Sequence, residues 1–209
     1  MEQRQYFKIS YKISFTFLLL LAFQGVHAQE GFKGYVTLGF NAAQIDGDAM
    51  AGFNKVGPTG GVGVKYGVHR LLDVGMEFLY SPRGGKNYLI TSDIPKVYID
   101  LKYAELPVYI CFKDWYIEEQ NYHKVGALAG LSYGTLLSSS SNVVLLADKV
   151  SQMRNNDFTY FVGGRYMFTK HIGLTARYNR SFSRVYNNAS LPNDYFLGYF
   201  WSARVEYYF

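Results

Sequence analysis

The sequence predicts an all-β fold, an eight-stranded antiparallel up-and-down transmembrane β-barrel that follows a cleaved signal peptide. The chain contains 20 Tyr, 16 Phe and 21 Gly but only 5 Pro, a composition that favours strands. Apolar and polar residues alternate with a period of two in eight separate segments. A basic and then apolar leader at the N-terminus indicates export.

The leader begins with Arg4, Lys8 and Lys12 and continues with an apolar stretch from Ile13 to Phe23. This stretch is shorter than the roughly 20 residues that a transmembrane helix needs, and the small residue Ala28 supplies a cleavage site. We therefore divide the chain into a signal peptide, residues 1–28, and an outer-membrane β-barrel domain, residues 29–209. Removal of the leader lowers the formal net charge from +5 to about +3.

The basic residues of the remaining chain are dispersed along alternating segments, which does not fit a nucleic-acid partner. The single cysteine, Cys111, cannot form an internal disulfide. Its apolar neighbours Ile110 and Phe112 indicate an ordinary strand position.

The eight predicted strands share one apolar and one polar face. Pro107 has no N–H group and so interrupts the row of backbone hydrogen-bond donors in the fourth strand. We therefore expect a bulge or a strand edge there. The same strand can begin as early as Val97. The predicted strands cover residues 32–41, 61–68, 72–81, 103–113, 124–134, 158–168, 172–179 and 197–209.

The connections alternate in length, as they do in outer-membrane barrels. Short turns are expected near His69 and Thr169, with a moderate connection over residues 114–122. The long connections are expected at residues 43–57, 82–97, 138–156 and 184–194. This layout puts the short turns and both chain ends in the periplasm.

The last strand shows the alternation to the end of the sequence. Every second residue from Leu197 to Phe209 is apolar, and Phe200 is an exception on the polar face. Chain ends fray unless they are paired, so an aromatic final residue favours a closed barrel. We expect Val205, Tyr207 and Phe209 to form the C-terminal signal that the barrel assembly machinery recognises.

The polar face combines glycines with charges of both signs, which suits the narrow lumen of eight strands. We expect Arg165, Arg177 or Arg204 to pair with Glu105. The alternative is a soluble lipocalin-like barrel, whose apolar face would line a ligand cavity. The predicted lumen ion network, with a structural role, consists of Glu77, Glu105, Arg165, Arg177, Arg204 and Glu206. Seven aromatic residues near strand ends are expected to form girdles at the two lipid interfaces. They are Phe40, Tyr66, Tyr80, Tyr133, Phe168, Tyr178 and Phe209.

Several sequence motifs carry a resemblance to a known family. They are Gly31 to Gly34, the Asn41 to Asp48 segment with its Gly-Asp element, Gly52 to Lys55, and Leu101 to Tyr109, which contains Tyr103-x-Glu105-x-Pro107. Together they resemble the PorT-like outer-membrane β-barrel proteins of Bacteroidetes over essentially the whole mature chain. The resemblance implies an integral protein of the cell outer membrane of a Gram-negative bacterium.

The same resemblance implies a structural or interaction role without catalytic activity, in a subset of members as an accessory to type IX protein secretion. Expected partners are therefore outer-membrane lipid, the barrel assembly machinery and secretion-complex proteins, and no nucleic acid. A small-solute pore is the alternative in a different functional class, although eight strands leave an interior just wide enough for side chains.

No catalytic residue, cofactor or metal site is predicted. His69, His123 and His171 lie at or beside short turns, where polar residues are common because the turns are wet, and their spacing is not that of a metal site. Asp46, Asp48 and Asn54 lack the ligand series of a calcium loop. Ser138 to Ser141 lacks a nucleophile elbow and is expected to be a flexible loop.

Overall fold

The computed structural model describes residues 31–46, 52–87, 97–142, 154–182, 186–187 and 195–209. Within these ranges the chain forms nine strands and a short 3₁₀ helix at Glu118–Gln120. The strands are β1 (Phe32–Asp46), β2 (Lys55–His69), β3 (Leu72–Lys86), β4 (Tyr98–Ile117), β5 (Tyr122–Ser141), β6 (Asn156–Met167), β7 (Ile172–Ser181), β8 (Tyr186–Asn187) and β9 (Tyr195–Tyr208).

Eight of these strands close into a barrel. Each strand from β1 to β6 pairs antiparallel with the next, β7 pairs with β9, and β9 pairs with β1, so that Tyr35 lies opposite Tyr208 and Asp46 opposite Leu197. The two-residue β8 pairs with the beginning of β9. The predicted eight-stranded antiparallel up-and-down barrel is therefore confirmed.

The apolar face of the wall points outward. Leu38 is 71% exposed and Phe40 62%, whereas Glu77 and Arg177 on the opposite face are each 1% exposed. A lipocalin-like barrel has the reverse arrangement, so the soluble alternative is wrong. Among the predicted girdle residues, Tyr178 is half-buried and packs against Trp201. The exposed ones are Phe40, Tyr66, Tyr80, Tyr133, Phe168 and Phe209.

The strands extend beyond the predicted ends on the side of the long connections. β1 continues to Asp46, with Ala43 and Ile45 buried, and β2 already begins at Lys55. The residues 138–141 pair with β4 through Leu101 opposite Ser139 and are not a loop. Backbone pairing does not require lipid on the outer face, so the strands continue where the sequence becomes polar.

The short connections lie at the end of the barrel where β1 begins and β9 ends. His69 is paired with Leu72 across the β2–β3 turn. The β4–β5 turn contains the 3₁₀ helix followed by Asn121 in the left-handed region, at φ 53°. The Phe209 N–H donates to the Gly34 carbonyl at 3.1 Å, which extends the pairing of β9 by one residue.

Pro107 does not produce the predicted bulge. In the β3–β4 pair, Met76 lies opposite Val108 and Leu79 lies opposite Glu105. The residues between these two pairs are not paired, but the register is the same on both sides of the gap. Because proline lacks an N–H, the hydrogen bonding is interrupted there without a shift. The register shift of β4 lies instead between Lys102 and Tyr103.

Glycines on the inner face make room for aromatic rings in the lumen. A Cβ atom added to Gly63 would lie 2.3 Å from the Tyr35 ring, and one on Gly75 would lie 2.3 Å from the Tyr109 ring. Both distances are far below van der Waals contact. The glycine-rich polar face therefore reflects the packing of a filled lumen.

The predicted signal peptide, residues 1–28, lies outside the described residues. No helix in the described part of the chain is long and apolar enough to cross a bilayer.

Candidate functional site

The lumen contains two networks of buried polar side chains. The larger network is named the central cluster. Its side chains come from six strands of the wall, which brings together residues far apart in the sequence. The central cluster consists of Tyr35, Glu77, Tyr109, Arg165, Arg177, Arg204, Glu206 and Tyr208, all of which are buried.

Glu77 makes the largest number of hydrogen bonds within the central cluster. Arg177 donates to both of its carboxylate oxygens, at 2.8 and 2.6 Å. Arg204 Nη2 donates to Oε2 at 3.1 Å, and the Tyr35 hydroxyl donates to Oε1 at 2.6 Å. A bidentate guanidinium contact is among the strongest hydrogen-bonding arrangements in proteins, so Glu77 links β3 to β1, β7 and β9.

Glu206 is the second carboxylate of the central cluster. Arg165 Nε donates to its Oε2 at 2.8 Å, and the Tyr208 hydroxyl donates to the same oxygen at 2.5 Å. The Tyr109 hydroxyl connects this half to the Glu77 half, because it lies 3.0 Å from the Tyr35 hydroxyl and accepts from Arg165 Nη2 at 3.2 Å.

A second network, the outer cluster, lies nearer the end with the long connections. It is centred on Arg83, which donates from Nε to Glu105 Oε1 at 2.8 Å and from Nη1 to Asp157 Oδ2 at 2.5 Å. Ser181 donates to the same Asp157 oxygen at 2.8 Å. Ser132 donates to Glu105 Oε2 at 3.4 Å. We define the outer cluster as Arg83, Glu105, Ser132, Asp157 and Ser181.

The partner predicted for Glu105 is therefore wrong. We expected Arg165, Arg177 or Arg204, but these three belong to the central cluster, and Glu105 is paired with Arg83. The sequence predicts Arg83 in the long connection at residues 82–97 and leaves Asp157 between the connection at 138–156 and the strand that begins at residue 158. Both lie on strands, β3 and β6, and point into the lumen because those strands are longer than predicted.

Aromatic and aliphatic side chains close the lumen around the outer cluster. The guanidinium of Arg83 lies between two rings, 4.6 Å from the centre of Tyr103 and 4.5 Å from that of Phe200. Phe200, the exception to the alternation of the last strand, thus has a buried position beside a cation. A buried apolar group then fills this end of the lumen and consists of Ile45, Ile99, Leu101, Tyr103 and Phe196.

The two networks have opposite excesses of formal charge. The central cluster contains three guanidinium groups and two carboxylates, and the outer cluster contains one guanidinium group and two carboxylates. The formal charges cancel when the clusters are taken together. Such compensation matters because an unpaired ion in a protein interior costs several kcal/mol.

The three histidines lie at the end with the short turns, as expected. His171 Nδ1 is 2.8 Å from the Tyr208 carbonyl oxygen, and His69 Nδ1 accepts from the Leu71 N–H at 3.3 Å. Within the described residues there is no group of three or more His, Cys, Asp or Glu side chains arranged to hold a metal ion. Asp46 is the last residue of β1, and Asp48 lies outside the described residues.

The residues proposed as a C-terminal signal lie on the outer surface of β9. Val205 is 53% exposed and Phe209 62%. Tyr207 lies between them on the same face and contacts Phe209, with a ring-centre distance of 5.8 Å. Their side chains therefore face the lipid and not the lumen.

Comparison with known proteins agrees with the barrel architecture. A family model described as the outer membrane protein beta-barrel domain matches residues 13–209. No curated protein matches the sequence.

The solved structures that are similar to this chain include three outer-membrane proteins. Ail, the attachment invasion locus protein of Yersinia pestis, is 17% identical with a TM-score of 0.49, over 87% of this chain and 100% of Ail. Neisserial surface protein A is 16% identical with a TM-score of 0.47, over 86% and 100%. The outer membrane protease OmpT from Escherichia coli is 9% identical with a TM-score of 0.32, over 87% and 98%.

Proposed function

Because this chain belongs to the outer membrane protein beta-barrel domain family, we propose that it is a non-conducting, non-catalytic barrel with a structural or docking role in the outer membrane. The observation that carries this proposal is the filled lumen. Two ion-pair networks and an apolar group occupy its cross-section at successive levels. Eight strands leave an interior just wide enough for side chains, so a continuous water path is not expected.

Planar-bilayer recording tests this proposal against the small-solute pore. The folded protein is expected to give no steady single-channel steps, because opening a path would expose buried charges of both clusters. A 16-stranded porin in the same bilayer is the positive control, since its interior is an aqueous channel. Reproducible single-channel current steps from the folded protein would contradict the docking role and show that the protein is a pore.

We further propose that the docking partner is a protein secretion complex of the type IX class, and that the chain resembles PorT in this respect. The support for this proposal is the sequence element Tyr103-x-Glu105-x-Pro107 together with the Asn41 to Asp48 segment.

We also propose that Val205, Tyr207 and Phe209 are recognised by the barrel assembly machinery during insertion, since all three lie on the lipid-facing side of β9.

Deletion of the gene tests the secretion role. We expect proteins normally exported to the cell surface to be lost from the surface while the envelope remains intact, and re-expression of the chain to restore them. Unchanged export in the deletion strain would contradict the secretion role and leave the docking role to a different partner.

A further inference from the structure

The lumen opens into a cavity of about 420 Å³ at the end with the short turns. In outer-membrane barrels this end faces the periplasm. The side chains that reach the cavity come from separate strands and turns, and the buried Tyr208 and Met167 line it as well. The basic residues among them are Lys33, Lys65, Arg70, Lys113, Lys170 and, when protonated, His123.

The charge of this cavity is strongly positive. None of the residues that line it is acidic. Asp73 lies next to the cavity and is already shared by two cations, with Lys65 Nζ at 3.0 Å and Lys113 Nζ at 2.6 Å. Lys33, Arg70 and Lys170 form no ion pair within the described residues.

A second observation concerns His123. Its Nε2 atom is buried and has no hydrogen-bond partner in the described part of the chain, although buried polar atoms normally have one. The ring is held in place against Tyr116, with 5.0 Å between the ring centres. The lining of the cavity thus combines an excess of cations with a histidine whose Nε2 atom has no hydrogen-bond partner among the described residues.

We propose that this cavity binds a multivalent phosphate anion from the periplasm. Four lysines from four different elements act as point charges around a concave site, which suits phosphate groups that approach in several orientations. The volume is within the range of small-molecule sites and is larger than one inorganic phosphate needs. The inner end is closed by the central cluster, which excludes a threaded polymer.

The proposal is independent of the docking role and is tested by titration calorimetry with sodium tripolyphosphate. The folded protein in a non-ionic detergent is expected to bind one anion per barrel, with an affinity that falls as NaCl is raised, since salt screens exposed charges. The double variant Lys33→Gln/Lys170→Gln is expected to bind about tenfold more weakly, because each exposed charge contributes a few-fold.

Lys124→Gln is the matched control. Lys124 is at the same end of the barrel but does not line the cavity, and its Nζ lies 4.8 Å from the centre of the exposed Trp115 ring. Its substitution removes one positive charge, as Lys33→Gln or Lys170→Gln does when made singly, and is expected to leave the affinity unchanged, whereas each of those single variants weakens binding a few-fold. Absence of binding at low salt, or a loss in Lys124→Gln equal to that in Lys33→Gln alone, would overturn the proposal.

The source of the phosphate is resolved by repeating the titration in lipid nanodiscs. If a lipid headgroup occupies the cavity, discs that contain cardiolipin, whose headgroup has two phosphate groups, will lower the apparent tripolyphosphate affinity relative to phosphatidylcholine discs. If the physiological ligand is a free anion, the two kinds of disc will give the same affinity. Binding that disappears in both would overturn the site.

Discussion

Replacement of Glu77 by glutamine is expected to lower the free energy of unfolding by about 3 kcal/mol. The carboxylate accepts four hydrogen bonds, from Arg177, Arg204 and Tyr35. Glutamine keeps the shape but removes the negative charge, which leaves three guanidinium groups and only Glu206 in the central cluster. The loss is measured by urea unfolding that is monitored by tryptophan fluorescence.

Two further variants show whether charge balance is the cause. Glu118→Gln removes an exposed carboxylate from the 3₁₀ turn and is expected to have little effect. The double variant Glu77→Gln/Arg204→Gln restores the original excess of one positive charge and is expected to be more stable than Glu77→Gln alone. A double variant with simply additive losses would show that the residues are not energetically coupled.

The strand faces could be predicted from the sequence because lipid and lumen impose opposite polarity on alternate residues. That rule placed Glu77, Arg177 and Arg204 inside the barrel. It could not pair them, because partners 100 and 127 residues apart are set by the stagger of the strands around the closed wall. The wrong partner for Glu105 has this origin.

The strand ends were the other source of error. Glu77, Ser81 and Arg83 lie on one face of an alternating segment, but Pro82 and Gly84 favoured a loop. Gly84 has φ 139°, and a Cβ there would lie 2.0 Å from the Ile99 carbonyl oxygen. This glycine therefore allows β4 to approach β3 closely, and the strand continues past it to Lys86.

The basic cavity could not be predicted from the sequence for a related reason. Lys33, Lys65, Lys113 and Lys170 are well separated along the chain, and each looks like an ordinary polar residue near a strand end. Only barrel closure brings them to one opening. Their convergence is a property of the barrel topology, which the dispersed positions in the sequence do not show.

Replacement of Arg83 by methionine is expected to destabilise the barrel by about 3 to 5 kcal/mol. The substitution removes the guanidinium that pairs with both Glu105 and Asp157 in the lumen. It also removes the guanidinium from between the Tyr103 and Phe200 rings. Lys102→Met, an exposed position on β4, is the matched control and is expected to change the free energy of unfolding by less than about 1 kcal/mol.

The charge and the ring contacts of Arg83 can be separated. Arg83→Lys keeps the charge but loses the planar fork and the stacking, so its stability is expected to lie between those of wild type and Arg83→Met. The triple variant Arg83→Met/Glu105→Gln/Asp157→Asn also removes the two carboxylate charges and is expected to recover part of the loss. If the triple variant is no more stable than Arg83→Met in the same urea unfolding assay, packing between the rings, and not charge pairing, is the main contribution of Arg83.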